Sequence, residues 1–255
     1  MLLPIDSSIS PFTVATLPNP ATLATGTSFA ITDYGGNIAT AVGGQWRFEF
    51  PFRTTWGNRP PVNLVPAGTE LQVTDYANQT WVCDGTYWRP AQGRTSLFAD
   101  CADVGTVLAS LSGVNQGQFS IPLLKIPAGM IVPESQIVIT QRGYKTGTGG
   151  SVRFVASLGT TGVPTSDPGI VSVVSGTGNN ACVYAQCAGV FGSAKNRMMA
   201  INNGEGAVSI PAGAVPAFQS SNINTDADMF VTMWVTNGNV ADVFNLTSYR
   251  VWLEA

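Results

Sequence analysis

The sequence predicts an all-β protein, with tandem small β-meander repeats followed by a β-sandwich domain of jelly-roll-like form. Three observations predict it. Residues 18–47 and 60–89 align without gaps at an offset of 42. From Thr106 onward, short runs alternate apolar and polar residues, strand after strand, with no sustained helical period. Charged residues make up only 11% of the 255, against 28 glycines, a palette of strands and tight turns rather than of charged helices.

Residues 1–20 carry Pro4, Pro11, Pro18 and Pro20 among Ser, Thr and Ile. Proline removes ladder donors and biases its neighbour to extended geometry. The segment reads as an extended arm that anchors the chain to something else, with Leu3, Pro4, Ile5, Pro11 and Phe12 as the candidate anchoring residues.

Residues 21–95 hold the two repeats. Identical pairs include Pro18/Pro60, Gly26/Gly68, Thr27/Thr69, Asp33/Asp75, Tyr34/Tyr76, Gly43/Gly85, Trp46/Trp88 and Arg47/Arg89. Phe29-x-Ile31 and Leu71-x-Val73 alternate as half-buried strands. The Asp-Tyr segments after them supply turn chemistry, and each repeat closes on a Gly-x-x-Trp-Arg strand. Residues 91–105 lose the pattern and are expected as a junction.

Residues 106–255 read as the sandwich. Ile137 and Ile139 share a face, as do Val152, Phe154, Ala156 and Leu158. Met229, Val231, Met233 and Val235 alternate with Phe230, Thr232, Trp234 and Thr236. The last strand sets Tyr249, Val251 and Leu253 against Arg250, Trp252 and Glu254. Asn203-Gly204 and Asn237-Gly238 are expected as hairpin turns. [Ile/Val]-Pro-Ala-Gly recurs at 65–68, 126–129 and 210–213 as a strand–turn corner.

Two segments carry a resemblance. Gly68-Thr69-Glu70-Leu71-Gln72-Val73-Thr74-Asp75, followed by Trp81-Val82-Cys83-Asp84-Gly85-Thr86-Tyr87-Trp88-Arg89-Pro90, resembles hairpins of bacteriophage tail-fibre, spike and head-fibre proteins. Ile126-Pro127-Ala128-Gly129 and the closing Asn245-Leu246-Thr247-Ser248-Tyr249-Arg250-Val251 are similar to the ends of their jelly-roll tips. The resemblance implies a homotrimer on the virion surface, a β-sandwich tip, contacts with other virion proteins and with a host surface glycan or protein, and no cofactor. Heptads, a β-helix repeat and a tail-attachment domain are missing, so a capsid decoration protein stands beside a fibre or spike.

Composition narrows the chemistry. A net charge of −3 with 12 scattered basic residues does not fit a nucleic-acid surface. No run reaches the roughly 18–20 apolar residues of a membrane span, and the first residues lack a signal-peptide pattern, so synthesis in the host cytoplasm is expected. Histidine is absent, which removes the commonest general base and most zinc sites. Cys182 and Cys187 lie at odd spacing on one strand and cannot bridge each other; buried free thiols are expected. The expectation is a protein without enzymatic activity. A polysaccharide-cleaving tailspike, needing only two carboxylates, survives as an alternative through Asp100/Asp103 and Asp226/Asp228.

Trp46 and Trp88 hold equivalent repeat positions and are expected in the cores. Trp56 and Trp81 have no aromatic counterpart across the repeat. With Arg53 and Arg59 beside them, they are the candidates for partner contact. In the sandwich, the loops at 143–150, 160–169, 176–180 and 217–227 are expected to present the contact surface.

Overall fold

The structure, a computed structural model, describes residues 12–13, 16–32, 37–49, 52–167, 169–191, 197–202, 218–219 and 223–254. The chain divides into two compact units, residues 1–93 and 94–255. The regular elements are strands and short 3-10 turns, so the protein is all-β.

In the first unit, β1 (Ser28–Ile31), β2 (Asn37–Val42) and β3 (Gln45–Phe48) form an antiparallel meander. The second sheet orders β4 (Phe52–Thr54), β5 (Glu70–Val73), β6 (Gln79–Cys83) and β7 (Trp88–Pro90), with β4 parallel to β5 and the rest antiparallel. The offset of 42 carries β1 onto β5 and the 3-10 turn Pro20–Thr22 onto Val62–Leu64. Hydrogen bonds repeat with it. Gly26 N donates to Ala41 O at 2.8 Å and Gly68 N to Cys83 O at 2.8 Å. Both glycines sit at positive φ, +93° and +86°, where a side chain would be strained.

The duplication starts earlier than sequence identity shows. Thr32 N donates to Phe12 O at 3.0 Å, as Thr74 N donates to Thr54 O at 2.8 Å. The parallel bridge Phe12↔Ile31 matches the pair Thr54↔Val73. Phe12 also meets Phe29 edge-on at 4.7 Å, and Phe29 meets Trp46 at 5.7 Å. Phe12, expected as part of an anchoring arm, is bridged in parallel to β1 of the first module. Leu3, Pro4, Ile5 and Pro11 lie outside the described residues.

The two cores correspond position by position. Ile31, Ala39, Ala41 and Trp46 are buried in the first module, and Val73, Trp81, Cys83 and Trp88 in the second. Each module buries few large side chains, at roughly 1.5–3 kcal/mol apiece, which is why they come stacked rather than singly. Gln45 Nε2 ties the first module to the second by donating to Val65 O at 3.2 Å.

The second unit contains β8 (Arg94–Cys101), β9 (Ala109–Ser112), β10 (Gly117–Gln118), β11 (Leu124–Ile126), β12 (Gln136–Thr146), β13 (Arg153–Gly159), β14 (Gly169–Val174), β15 (Ala181–Phe191), β16 (Arg197–Asn202), β17 (Phe218–Gln219), β18 (Met229–Thr236) and β19 (Val243–Glu254). Antiparallel pairing is nested: β9 with β19, β11 with β18, β12 with β15, β13 with β14. That is one long folded ribbon. The pairs β12–β19 and β13–β18 then close it into two sheets, ordered β9-β19-β12-β15 and β11-β18-β13-β14, the strand order of a jelly roll. β8 lengthens the β9 edge along β19, and β16 and β17 extend the opposite edge.

Two expectations change here. Residues 94–101, expected within a junction, are a strand of the second unit's larger sheet. Asn237 does take a left-handed φ of +57°, but β18 and β19 on its two sides belong to different sheets, so the turn is a sheet-to-sheet corner and not a hairpin. Asn203-Gly204 and the 210–213 tetrapeptide lie outside the described residues. The expected inward faces are buried: Ile137, Ile139, Phe154, Ala156, Leu158, Met233, Val235, Val251 and Leu253 are 0% exposed, while Val138, Val155 and Trp252 on the opposite faces are buried too. The rings of Phe119 and Phe154 stack across this core at 6.0 Å.

Candidate functional site

In the second module the unmatched tryptophans face each other. Trp56 and Trp81 are 1% and 0% exposed, with ring centroids 4.7 Å apart. The Arg59 guanidinium lies 4.0 Å over the Trp56 ring and donates from Nη1 to Trp56 O at 2.6 Å. Burial lowers the Arg59 pKa from its ordinary value. Asp75 accepts the Trp56 N–H on both carboxylate oxygens, at 3.0 and 3.2 Å. The rings and Arg59 therefore brace the module. Of the expected contact set, Arg53 is the exposed member.

One carboxylate of each candidate pair, Asp228 and Asp100, is a local brace. Asp228 accepts from Lys125 at 2.6 Å and from Ala128 N at 3.0 Å. The Lys125 hydrogen bond, with the Ala128 N–H, holds its pKa below the ordinary value. Asp226 N donates to Asn224 Oδ1 in a turn. Asp103 O accepts from Thr106 N at 3.0 Å, and Asp100 Oδ1 accepts from Cys101 N at 2.9 Å. Asp84 likewise gathers Thr86 N, Tyr87 N and Arg89. Burial pushes its pKa up, and these hydrogen bonds outweigh that and lower it. Cys83 is buried, whereas Cys101 and Cys182 are exposed, and all three are free; burial raises the Cys83 pKa.

The loops of the sandwich are tied down from beneath. At one end, Gly147 N donates to Asn179 Oδ1 at 2.7 Å, and Asn239 Nδ2 to Gly149 O at 2.9 Å. Gly149 N donates to Asp242 Oδ1 at 3.0 Å, while Lys145 Nζ reaches Asp242 Oδ2 at 3.2 Å and Gly147 O at 2.7 Å. The connections after β12, β14 and β18 thus form one hydrogen-bonded cluster. The loop after β13 closes on Asp167, which accepts from Thr161 N, Thr161 Oγ1 and Gly162 N at 3.2, 2.8 and 2.8 Å. Residues 143–146, expected in a loop, belong to β12. Residues 217 and 220–222 of the fourth expected loop lie outside the described residues, and 218–219 form β17.

Two concave surfaces stand out. A cleft of 340 Å³ in the first unit runs between Arg47, Phe48 and Glu49 of one module and Pro66–Glu70 of the next. A larger groove of 510 Å³ crosses β8, β12 and β19, lined by Asp100, Cys101, Thr140, Arg142, Ser248 and Arg250 among others. Trp252 and Val138 pack together at its end, and Arg94 lies 4.1 Å over the Trp252 ring while bridging Glu254 at 3.3 Å. Tyr249 borders the groove. Burial, and then the nearby Asp100 charge, raises its pKa. No linear pattern announced this site, because its residues come from three strands separated in sequence.

No family model matches the chain, and a search of curated proteins finds no match.

Proposed function

We propose that the protein is a non-enzymatic contact module of a bacteriophage particle, a trimeric fibre or spike subunit whose jelly roll meets the host surface. The observation that supports this best is the loop cluster around the buried Lys145–Asp242 pair, where hydrogen bonds among Gly147, Gly149, Asn179, Asn239 and Asp242 hold three connections together. A surface built to be presented gains from such pre-organisation, because little ordering is left to occur on binding. Asp228, held by Lys125 and a backbone N–H, has its pKa lowered, which does not suit the general acid of a sugar-cleaving pair, a group that needs a raised pKa.

The low charge adds to the reading. A chain with 11% charged residues resists self-association weakly, which suits a subunit that lives in an assembly. The test is direct. Purified particles are probed by peptide mass spectrometry and by gold-labelled antibody in electron micrographs, and the isolated chain is weighed by native mass spectrometry. Expected are label at fibre or spike ends and a mass three times that of one chain. Label on the capsid shell would turn the proposal to a decoration protein, and absence from particles would end it.

A further inference from the structure

We propose that the groove across β8, β12 and β19 binds an acidic saccharide, a sugar unit carrying one carboxylate or phosphate. The inference rests on reading this protein as a contact module and names the ligand class for one surface of it.

Register places the groups. Arg250 pairs with Thr140 on one side and Ala99 on the other, and Ser248 pairs with Arg142 and Cys101. Directly paired residues share a sheet face, so Thr140, Arg142, Ser248 and Arg250 line one surface. The two arginines are diagonal neighbours on adjacent strands, with backbones roughly 7–8 Å apart. One anionic group between them is within reach of both guanidinium forks, whose geometry matches carboxylate and phosphate oxygens. Both arginines are exposed. Their gathering on one face runs against a chain whose net charge is −3.

The remaining lining favours a sugar over other anions. Thr140 and Ser248 bring hydroxyls, which give and take hydrogen bonds with sugar hydroxyls. Asp100 borders the same groove, and one of its oxygens already accepts the Cys101 N–H. A carboxylate there disfavours the closely spaced phosphates of nucleic acid, while the hydroxyls of a sugar unit with one acidic group can donate to it. A volume of 510 Å³ falls within the usual range for small-ligand pockets, roughly 300–1,000 Å³.

The experiment uses the full chain. Titration calorimetry is run with trigalacturonate, with glucose 6-phosphate, with neutral maltotriose and with a short poly-glutamate peptide. In parallel, alkylation of the exposed groove thiol Cys101 is followed at peptide level, with exposed Cys182 as the internal control. Expected is binding of one or both acidic sugars, with Cys101 protected and Cys182 not. Maltotriose and the peptide should bind at least about tenfold more weakly, a difference of about 1.4 kcal/mol. Arg250→Gln should weaken sugar binding by a similar factor with an unchanged melting midpoint, and Arg250→Lys should restore part of it. Which acidic sugar wins separates carboxylate from phosphate. Equal binding of neutral and acidic sugars, no acidic-sugar binding, peptide binding as tight as sugar, or no response to Arg250→Gln would each overturn the proposal. None of these results touches whether the protein sits on a particle, which is read from particle composition.

Discussion

Lys145 and Asp242 meet at 3.2 Å inside the second unit, with side chains 0% and 1% exposed. They lie 97 residues apart in sequence and fasten the end of β12 to the start of β19. Such a pair contributes little net stability relative to apolar residues of similar size, yet removing one partner strands the other charge. Its value lies in geometry, because the same two groups also hold Gly147 O and Gly149 N.

The pair sets an acid limit. Asp242 has its pKa lowered, first by the Gly149 N–H, against the opposing effect of burial, and then by Lys145. A carboxyl depressed in the folded state stabilises above its unfolded pKa, about 3.9, and that contribution is lost as pH falls through the folded value. Thermal melts from pH 7 downward should therefore show a steeper acid loss for the native chain than for Asp242→Asn. Lys145→Met should lower the midpoint at pH 7 by more than the double change Lys145→Met/Asp242→Leu does.

The tryptophan pair of the second module predicts strong coupling. Trp81→Ala should cost about 3–5 kcal/mol, as for other large buried aromatics. By the repeat, Trp56 and Trp81 stand where the first module has Val14 and Ala39. Once Trp81→Ala is in place, Trp56→Val should cost less than it does alone. A double-mutant cycle by denaturant unfolding measures this, with contacting residues expected to be non-additive.

Gly143 sits where the register of β12 against β19 shifts. An added Cβ there would run into Asn245 O and stand 2.8 Å from Phe154 Cε1. Gly143→Ala should destabilise the protein by about 1–3 kcal/mol, the usual cost of overpacking. Gly178, whose added Cβ would meet nothing within 4 Å, is the control, and Gly178→Ala should leave the melting midpoint nearly unchanged.

Asp167 gathers three donors from the loop that follows β13 and is itself 5% exposed. Asp167→Ala leaves those donors without their acceptor, at about 1–3 kcal/mol. Limited proteolysis should then cut between residues 160 and 167 sooner than in the native protein, while the loop cluster at 147–150 stays protected.

Much of this architecture was legible in one line of sequence, and the misses have physical causes. Period-two alternation marks β18 because one face packs on the core and the other holds Phe230, Trp234 and Thr236 half-exposed, whereas β13 is buried on both faces along 154–159. Phe12 reads as part of an arm because four prolines mark residues 1–20, and its counterpart at the offset of 42, Thr54, is an unlike residue. What repeats there is a backbone bond to Thr32 or Thr74, which leaves no side-chain signature. Trp56 and Trp81 looked partnerless because the comparison ran across the repeat. Their partners lie within one module, each ring packing on the other. On β12, Gln141 and Lys145 continue the inward face begun by Ile137 and Ile139, and polar residues break the alternation that reveals a strand. The groove was invisible because pairing, not spacing, brings Arg142 and Arg250 together.

The nested pairing of the second unit bears on how the chain is made. β19 follows every strand it pairs with in chain order, yet it is an inner strand of its sheet, flanked by β12 on one side and by β8 and β9 on the other. On the ribosome, the meander modules can close as they emerge, since their strands pair with near neighbours. The jelly roll must wait until β19 has been made, holding apolar strands open meanwhile. A chain interrupted before β19 would leave β12 without its partner on one side and β8 and β9 with no strand to pair with, so chaperones would be needed most while β19 is still to come.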